Sequence, residues 1–296
     1  MNGIAVIVNI LAALVGGGFG LMFRGKMKAH YQQLFLRVAG LGLMGVGAYE
    51  VIQHYFVIAD EKLELTGSLL VLLAMVFGGL LGYLFGIHEA LLKLGRKLSK
   101  KDEKEKAKED ARVQRLAQAV VVAAERGVTP PKVPLLDRIP TYEMPAPLSQ
   151  NLYADVFLMA VILLCGNSLL FSGVMADAMD GETTILFVKS GIDFVLCFLL
   201  AFIGGNGPLY AVIPMAFLEL LLWLLCLAAP NFTIGFFTPT MSAQLLVIGA
   251  IITIVLGAHM AFGQKKVKAG NLLPAFLIPV FYYGIIFLVN LLIGSD

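Results

Sequence analysis

Apolar residues in this chain come in long, nearly unbroken runs rather than at the three-and-four spacing of a one-sided helix. Eight runs, 3–23, 34–58, 67–88, 152–175, 185–203, 207–229, 243–263 and 270–293, are long enough to cross a membrane. At ~1.5 Å per residue each reaches across a hydrocarbon layer ~30 Å thick. The pattern predicts an all-α fold: a polytopic helical membrane protein of about eight transmembrane helices. The least marked boundary is GGNGP at 204–208, inside an apolar stretch, 194–229, whose single charge is Glu219. That stretch is too long for one span, and its Gly-Pro cluster is the natural place to turn.

Polar residues divide the chain into three parts. Residues 1–94 carry spans one to three, 95–150 form a charged helix and a Pro-rich loop, and 151–296 carry spans four to eight. The middle part, from GRKLSKKDEKEKAKEDARVQRLAQAVVVAAERG to VTPPKVP, is rich in helix formers and ends at Gly127. A cytoplasmic helix continuing from the third span and followed by an extended return is expected. Within it Val113 to Ala124 is apolar enough to pack on the membrane, on the protein itself or on a second copy; otherwise it is a solvated spacer.

Charge placement orients the spans. Of 22 Lys and Arg residues, 20 fall in 24–37, 93–138 and 265–268, leaving Lys62 and Lys189 elsewhere. Eight spans put all three basic blocks on one side and the acidic loops ADEKLELT and ADAMDGETT on the other, so the positive-inside rule predicts a plasma-membrane protein with both termini outside. No basic segment precedes the first apolar run, which reads as a retained span. The near-neutral balance of +2 argues against a nucleic-acid partner, leaving the bilayer and a small solute.

Glycine pairs such as Gly16/Gly20 and Gly78/Gly82 have the spacing that lets helices approach closely, within one subunit or in a homo-oligomer. Gly40/Gly47, Gly166/Gly173 and, roughly, Gly249/Gly257 share a period compatible with a weak inverted repeat.

Ionisable groups in hydrocarbon cost about 2.5 to 3.5 kcal/mol each on insertion scales, so each one inside a span needs a reason. Lys189 and Asp193 stand four residues apart on one helix face, in the order that opposes the helix dipole. Asp193 either takes Lys189 as an internal partner or faces a wet cavity. Glu50 and His54 repeat the spacing near the end of the second span, as a proton relay or as headgroup-level residues. Glu219, near mid-span with no charge close in sequence, needs a partner from another helix. Asn9, Asn167, Ser168 and Asn271 complete the candidate polar pathway. The excess of acids favours protons or small cations over anions.

Cys165, Cys197 and Cys226 lie in apolar runs without metal-ligand spacing, so neither metal nor cofactor is expected. No hydrolase, zinc-protease or nucleotide-binding motif is present, and the chain is not expected to be an enzyme.

Several stretches carry a resemblance. Val8-Asn9 ahead of GGGFG, GGLLGYLFGIHEALLKLG at 78–95, LLCGNSLLFSG at 163–173, KSGID at 189–193 and AGNLLPA at 269–275 are similar to the bacterial inner-membrane family called domain of unknown function 554, of the YqgA and YdfK type. The resemblance implies an integral membrane protein without an established activity, and a shared role for KSGID. Ala5 stands where the family usually has Gly, and Glu219 where a neutral polar residue is expected, so Glu219 carries over less directly than Asn9, Lys189, Asp193 or Asn271.

The function expected from these residues is secondary transport of a small polar or cationic solute, coupled to protons or sodium. Asn9, Asn167, Ser168, Asp193 and Glu50 would line an outer cavity, with Glu219 deeper. The alternative is a membrane scaffold or regulator that recruits a cytoplasmic partner through 98–127.

Overall fold

A computed structural model describes residues 3–24, 29–59, 62–65, 68–100, 115, 118, 146–166, 168–263 and 267–293. The helices, in chain order, are α1 (Ile4–Phe23), α2 (Ala29–Tyr55), α3 (Ser68–Phe85), α4 (Ile87–Lys100), α5 (Ala146–Cys165), α6 (Ser168–Met179), α7 (Thr184–Gly204), α8 (Gly207–Ala228), α9 (Pro230–Phe236), α10 (Pro239–Phe262) and α11 (Leu277–Ile293). A 3-10 turn, Ala269–Phe276, leads into α11. Among the described residues seven helical segments are long and apolar enough to cross a membrane, and the bent pair α3–α4, taken as one span, makes an eighth. The chain is a multispan helical membrane protein. Its outward-facing Leu, Phe, Val and Ile side chains are where a soluble protein would carry charge. In a bilayer they contact lipid.

The sequence-predicted spans recur with instructive differences. The third span bends by 52° at Gly86, which adopts φ 61, and continues as α4. A left-handed residue there is cheap only for glycine. The fourth is discontinuous: α5 stops at Cys165 and α6 starts at Ser168. GGNGP does turn the chain, with Gly205 at φ 94 between α7 and α8. Two elements were not legible as spans or loops: a hairpin pairing β1 (Phe56–Ala59) with β2 (Lys62–Leu65), and the short helix α9. Most of the charged segment, including 101–114 and 119–145, lies outside the described residues, and with it the apolar face at 113–124 and the partner-recruiting stretch.

The first three spans pack chiefly on the second half of the chain rather than on one another. Glycine makes each seam. A Cβ on Gly16 would strike the Phe194 carbonyl and one on Gly20 the Phe198 carbonyl, so α1 and α7 run parallel in contact. Gly40 abuts Gly257 and Ala261 while Gly47 abuts Ala250 and Ile254, so α2 and α10 are antiparallel. Gly78 meets Ala275 and Gly82 meets the Asn271 backbone, making α3 antiparallel to the 3-10 turn. Eight alternating spans give these relative directions; removing one span between any pair reverses it. Gly40 and Gly257 therefore have a plain packing cause, because they lie against each other across the α2–α10 seam.

Candidate functional site

Helix α1 presents a buried stripe of small residues, Ala5, Ala13, Gly16, Gly17 and Gly20, interrupted by one polar side chain, Asn9. The absence of bulk on this face brings α1 close enough to α7 and α8 for a short amide to bridge them. Asn9 Nδ2 donates to Glu219 Oε1 at 2.7 Å and to Asp193 Oδ2 at 3.1 Å. On α7 the one-turn spacing of Lys189 and Asp193 closes a salt bridge between Lys189 Nζ and Asp193 Oδ2. The same Nζ stands 3.2 Å from Glu219 Oε1 on α8. Met215, one turn before Glu219, lays its sulfur 3.9 Å from Asn9 Nδ2 and 3.7 Å from Lys189 Nζ, covering the polar knot with a soft apolar surface.

Asn9, Lys189, Asp193 and Glu219 are all 0% exposed. Two carboxyls face one ammonium, so the fully ionised cluster carries one surplus negative charge in a dry interior. Three oxygens, Asn9 Oδ1, Asp193 Oδ1 and Glu219 Oε2, are buried without a hydrogen-bond partner. Every unpartnered polar atom of these four side chains is thus an acceptor. Unpaired buried polar groups cost about 1–3 kcal/mol each, more for charged ones, so a knot of this kind is a poor way merely to fasten three helices.

Two departures from regular helix lie near the cluster. Pro214, inside α8, removes the hydrogen bond to the carbonyl four residues earlier, one residue before Met215. The break between α5 and α6 follows Cys165, whose thiol lies in electrostatic reach of Lys189, Asp193 and Glu219. Discontinuous helices beside intramembrane charges recur at transporter binding sites.

The sequence-predicted residues divide into three sets. Asn9, Lys189, Asp193 and Glu219 come together. Glu219 does not lie apart as a deeper acid but shares Lys189 with Asp193, and Asp193 takes Lys189 as its internal partner. Glu50 is buried on α2, whose main neighbour is α10, and is not among the charges acting on Asp193 or Glu219. Asn271 serves the third seam. Its Oδ1 accepts from the His88 backbone N–H at 3.0 Å, capping the first turn of α4 after the Gly86 bend. Asn167 and the Ser168 side chain lie outside what the structure describes.

Met215 was not singled out in the sequence, although a methionine one turn from a lone intramembrane acid shares its face. Asp177, assigned to an external acidic loop, is instead buried at the end of α6. Its Oδ2 accepts from the Gly3 backbone N–H at 2.7 Å and from Trp223 Nε1 at 3.1 Å, tying α1 to α6 and α8. The apolar period running through VMADAM was the signal that α6 continues past Val174. Within α9, Thr233 is buried with its hydroxyl donating to the Ala229 carbonyl.

Beyond the knot, a cavity of about 400 Å³ opens between α2 and α7. It is lined by Gly42, Leu43, Val46, Gly191, Val195 and other apolar residues, and no member of the polar cluster reaches it. Among the described residues no three His, Cys, Asp or Glu side chains converge as a metal site.

Comparison with known proteins follows the membrane halves. Uncharacterized protein YqgA of Escherichia coli (strain K12) is 29% identical over 119 residues, 40% of this chain and 48% of that relative, so the match spans about half of its length. Uncharacterized membrane protein YdfK of Bacillus subtilis (strain 168) is 23% identical over 281 residues, 92% of each chain. No solved structure matches. The family model described as "Protein of unknown function (DUF554)" matches residues 4–128 and 138–284, through all three helices that build the cluster, and the chain therefore belongs to the DUF554 family.

Proposed function

We propose that the protein is a secondary transporter of a small polar or cationic solute, with Asn9, Lys189, Asp193 and Glu219 as its ion-coupling centre and with both termini outside. One observation carries the reading: a fully buried, unevenly charged cluster shared by α1, α7 and α8 with three acceptor oxygens unpartnered. Static glue would be better served by matched charges or plain packing, since a buried ion pair is often no better than well-packed apolar residues. A cluster that must gain and lose a cation during a cycle cannot be perfectly matched in any one state. The reading involves no catalysed reaction.

Seams that join one half of the chain to the other support the same role. Asn9 belongs to the first half and its partners to the second, so sliding at the α1–α7 and α1–α8 contacts would break the hydrogen bonds that link the acids to Asn9. The test is thermal stability of the purified protein against small cations and metabolites across pH, in wild type and Asp193→Asn. A solute that raises the unfolding temperature of wild type alone is the expected result. A flat response from both proteins, with the variant simply less stable, would reject transport.

A further inference from the structure

We infer that the ion bound by this centre is a proton, one per cluster, held by Asp193 and Glu219 together, and that sodium is not accommodated; the inference rests on the coupling role proposed above.

Charge and hydrogen-bond chemistry lead there jointly. With Lys189 an ammonium and both acids ionised, the cluster is one negative charge in excess. One cation of unit charge balances it. The unpartnered atoms accept such a cation in principle, because all three are oxygens. Their setting decides which one. Hard metal cations collect about six oxygen ligands or more, and here three are free, on three different helices. Lys189 Nζ already occupies the position between the carboxylates, 3.2 Å from Glu219 Oε1, where a second cation would meet its repulsion. The Met215 sulfur, in contact with both Asn9 and Lys189, is a ligand that hard cations avoid. No water-sized space touches any of the three oxygens. A proton needs neither volume nor a shell.

The bonding completes the balance. Asn9 turns its amide nitrogen toward both acids, the orientation that suits the charged state. Uptake of one proton forms an O–H bond on Asp193 Oδ2 or Glu219 Oε1, the oxygens that face the Asn9 amide, and the new donor requires an acceptor. Asn9 Oδ1 is the unpartnered acceptor of the same side chain, and half a turn of its amide exchanges donor for acceptor. Asn9 is thus a positioning residue that serves both protonation states. Lys189 and the two acids act on each other. Of the other titratable groups nearby, the thiols of Cys165 on α5 and Cys197 on α7 ordinarily stay protonated at neutral pH. Asp155 lies on α5, Glu50 on α2, and Asp177 on α6 holds the Gly3 N–H and Trp223 Nε1.

Infrared spectroscopy of the purified full chain reads the proton directly, through the carboxylic acid carbonyl band and its shift in deuterated buffer. Wild type at neutral pH should show one such band, unchanged when sodium chloride replaces choline chloride at fixed pH. Asp193→Asn and Glu219→Gln should each abolish it, because either leaves one acid matched by Lys189, whereas Lys189→Met should double it. Absence of the band in wild type, its loss on adding sodium, or its survival in both acid variants would overturn the inference. The sodium comparison uses wild type alone and stands even if a variant fails to fold. A band without any solute response would retain the proton site and sink the transporter reading; a sodium-dependent solute response without the band would do the reverse.

Discussion

Replacing Lys189 by Met removes the one cation from a pocket that holds two acids, and the structure sets the scale of the loss. At 3.2 Å from Glu219, with an effective dielectric of about 20, the Lys189–Glu219 attraction alone is roughly 5 kcal/mol. Asp193 can take the same place beside Lys189, but with one proton held between the two acids a single attraction of this size operates at a time. Methionine recovers little of it. Breaking a buried pair by deleting one partner costs about 3–5 kcal/mol, because the remaining charge stays buried. The variant avoids that cost only by taking up a second proton, so the penalty should shrink as pH falls and the carboxyl that Lys189 had balanced becomes neutral. It should shrink at neutral pH too when Asp193→Asn is added, and the double variant should be more stable than the sum of the single changes by about 2 kcal/mol or more, as for other coupled neighbours. Trp223, the only tryptophan, reports unfolding in mixed micelles through its fluorescence, from a position on α8 one turn beyond Glu219. A double variant whose loss equals the sum of the two singles, with no pH dependence in Lys189→Met, would refute the view that Lys189 balances these acids.

Other sites make separate claims. Gly20→Leu should separate α1 from α7, since any Cβ there meets the Phe198 carbonyl; a loss of about 1–3 kcal/mol typical of overpacking is expected on unfolding, while Gly18→Leu, with open space around it, should be silent. Asp177→Ala should cost about 1–3 kcal/mol by stranding the Gly3 and Trp223 donors and should shift Trp223 emission, with Ile213→Ala on the exposed face of α8 as the control. Thr238→Ala should remove the cap that accepts from the Met241 N–H and cost about 1 kcal/mol, read by the same unfolding assay. Lys268 Nζ donates to Glu89 Oε1 at 2.8 Å. Because both groups are exposed, Glu89→Gln should leave the unfolding midpoint unchanged at physiological salt, and a measurable drop would contradict this.

How much the sequence discloses depends on the range of each interaction. Span number and relative direction were legible, because lipid imposes length and positive charge imposes side. The Lys189–Asp193 pair was legible too, since one helical turn brings the partners together. Placing Glu219 beside them required knowing that α8 packs on α7, and that depends on Gly16, Gly17 and the small stripe of α1 fitting both. Hydropathy carries no such information. Asn271 shows the opposite failure: its AGNLLPA context reads like a polar pathway, but the neighbouring Gly86 bend leaves a helix start whose N–H groups need an acceptor. Asp177 was misplaced by two residues of charge-rich sequence after it, although the chain had not yet left the helix.

The glycine seams and the polar knot are two parts of one physical arrangement. A Lys and two acids buried at a rigid, jigsaw-packed interface would be trapped in whichever protonation state they folded with, because exchange needs an opening. Interfaces made by backbone against backbone, as at Gly16, Gly40, Gly47 and Gly82, have few long side chains to unlock if the helices shift. All three seams lie between the first three spans and the rest of the chain, so motion there moves α1 as a unit with Asn9 on it. Withdrawing Asn9 would remove the shared donor from Asp193 and Glu219 together, raise the energy of both anions at once and favour the protonated cluster. Protonation would in turn weaken the hold on Asn9 Nδ2. By linkage, the withdrawn seam and the bound proton must then favour each other by the same factor. A helix position that reports on pH and a proton affinity that reports on helix position are the same measurement. Cross-linking α1 to α7 through introduced cysteines at Phe19 and Phe194, whose rings lie 6.5 Å apart, should therefore fix the protonation state seen by infrared, and an unaltered carboxyl band in the cross-linked protein would break that connection.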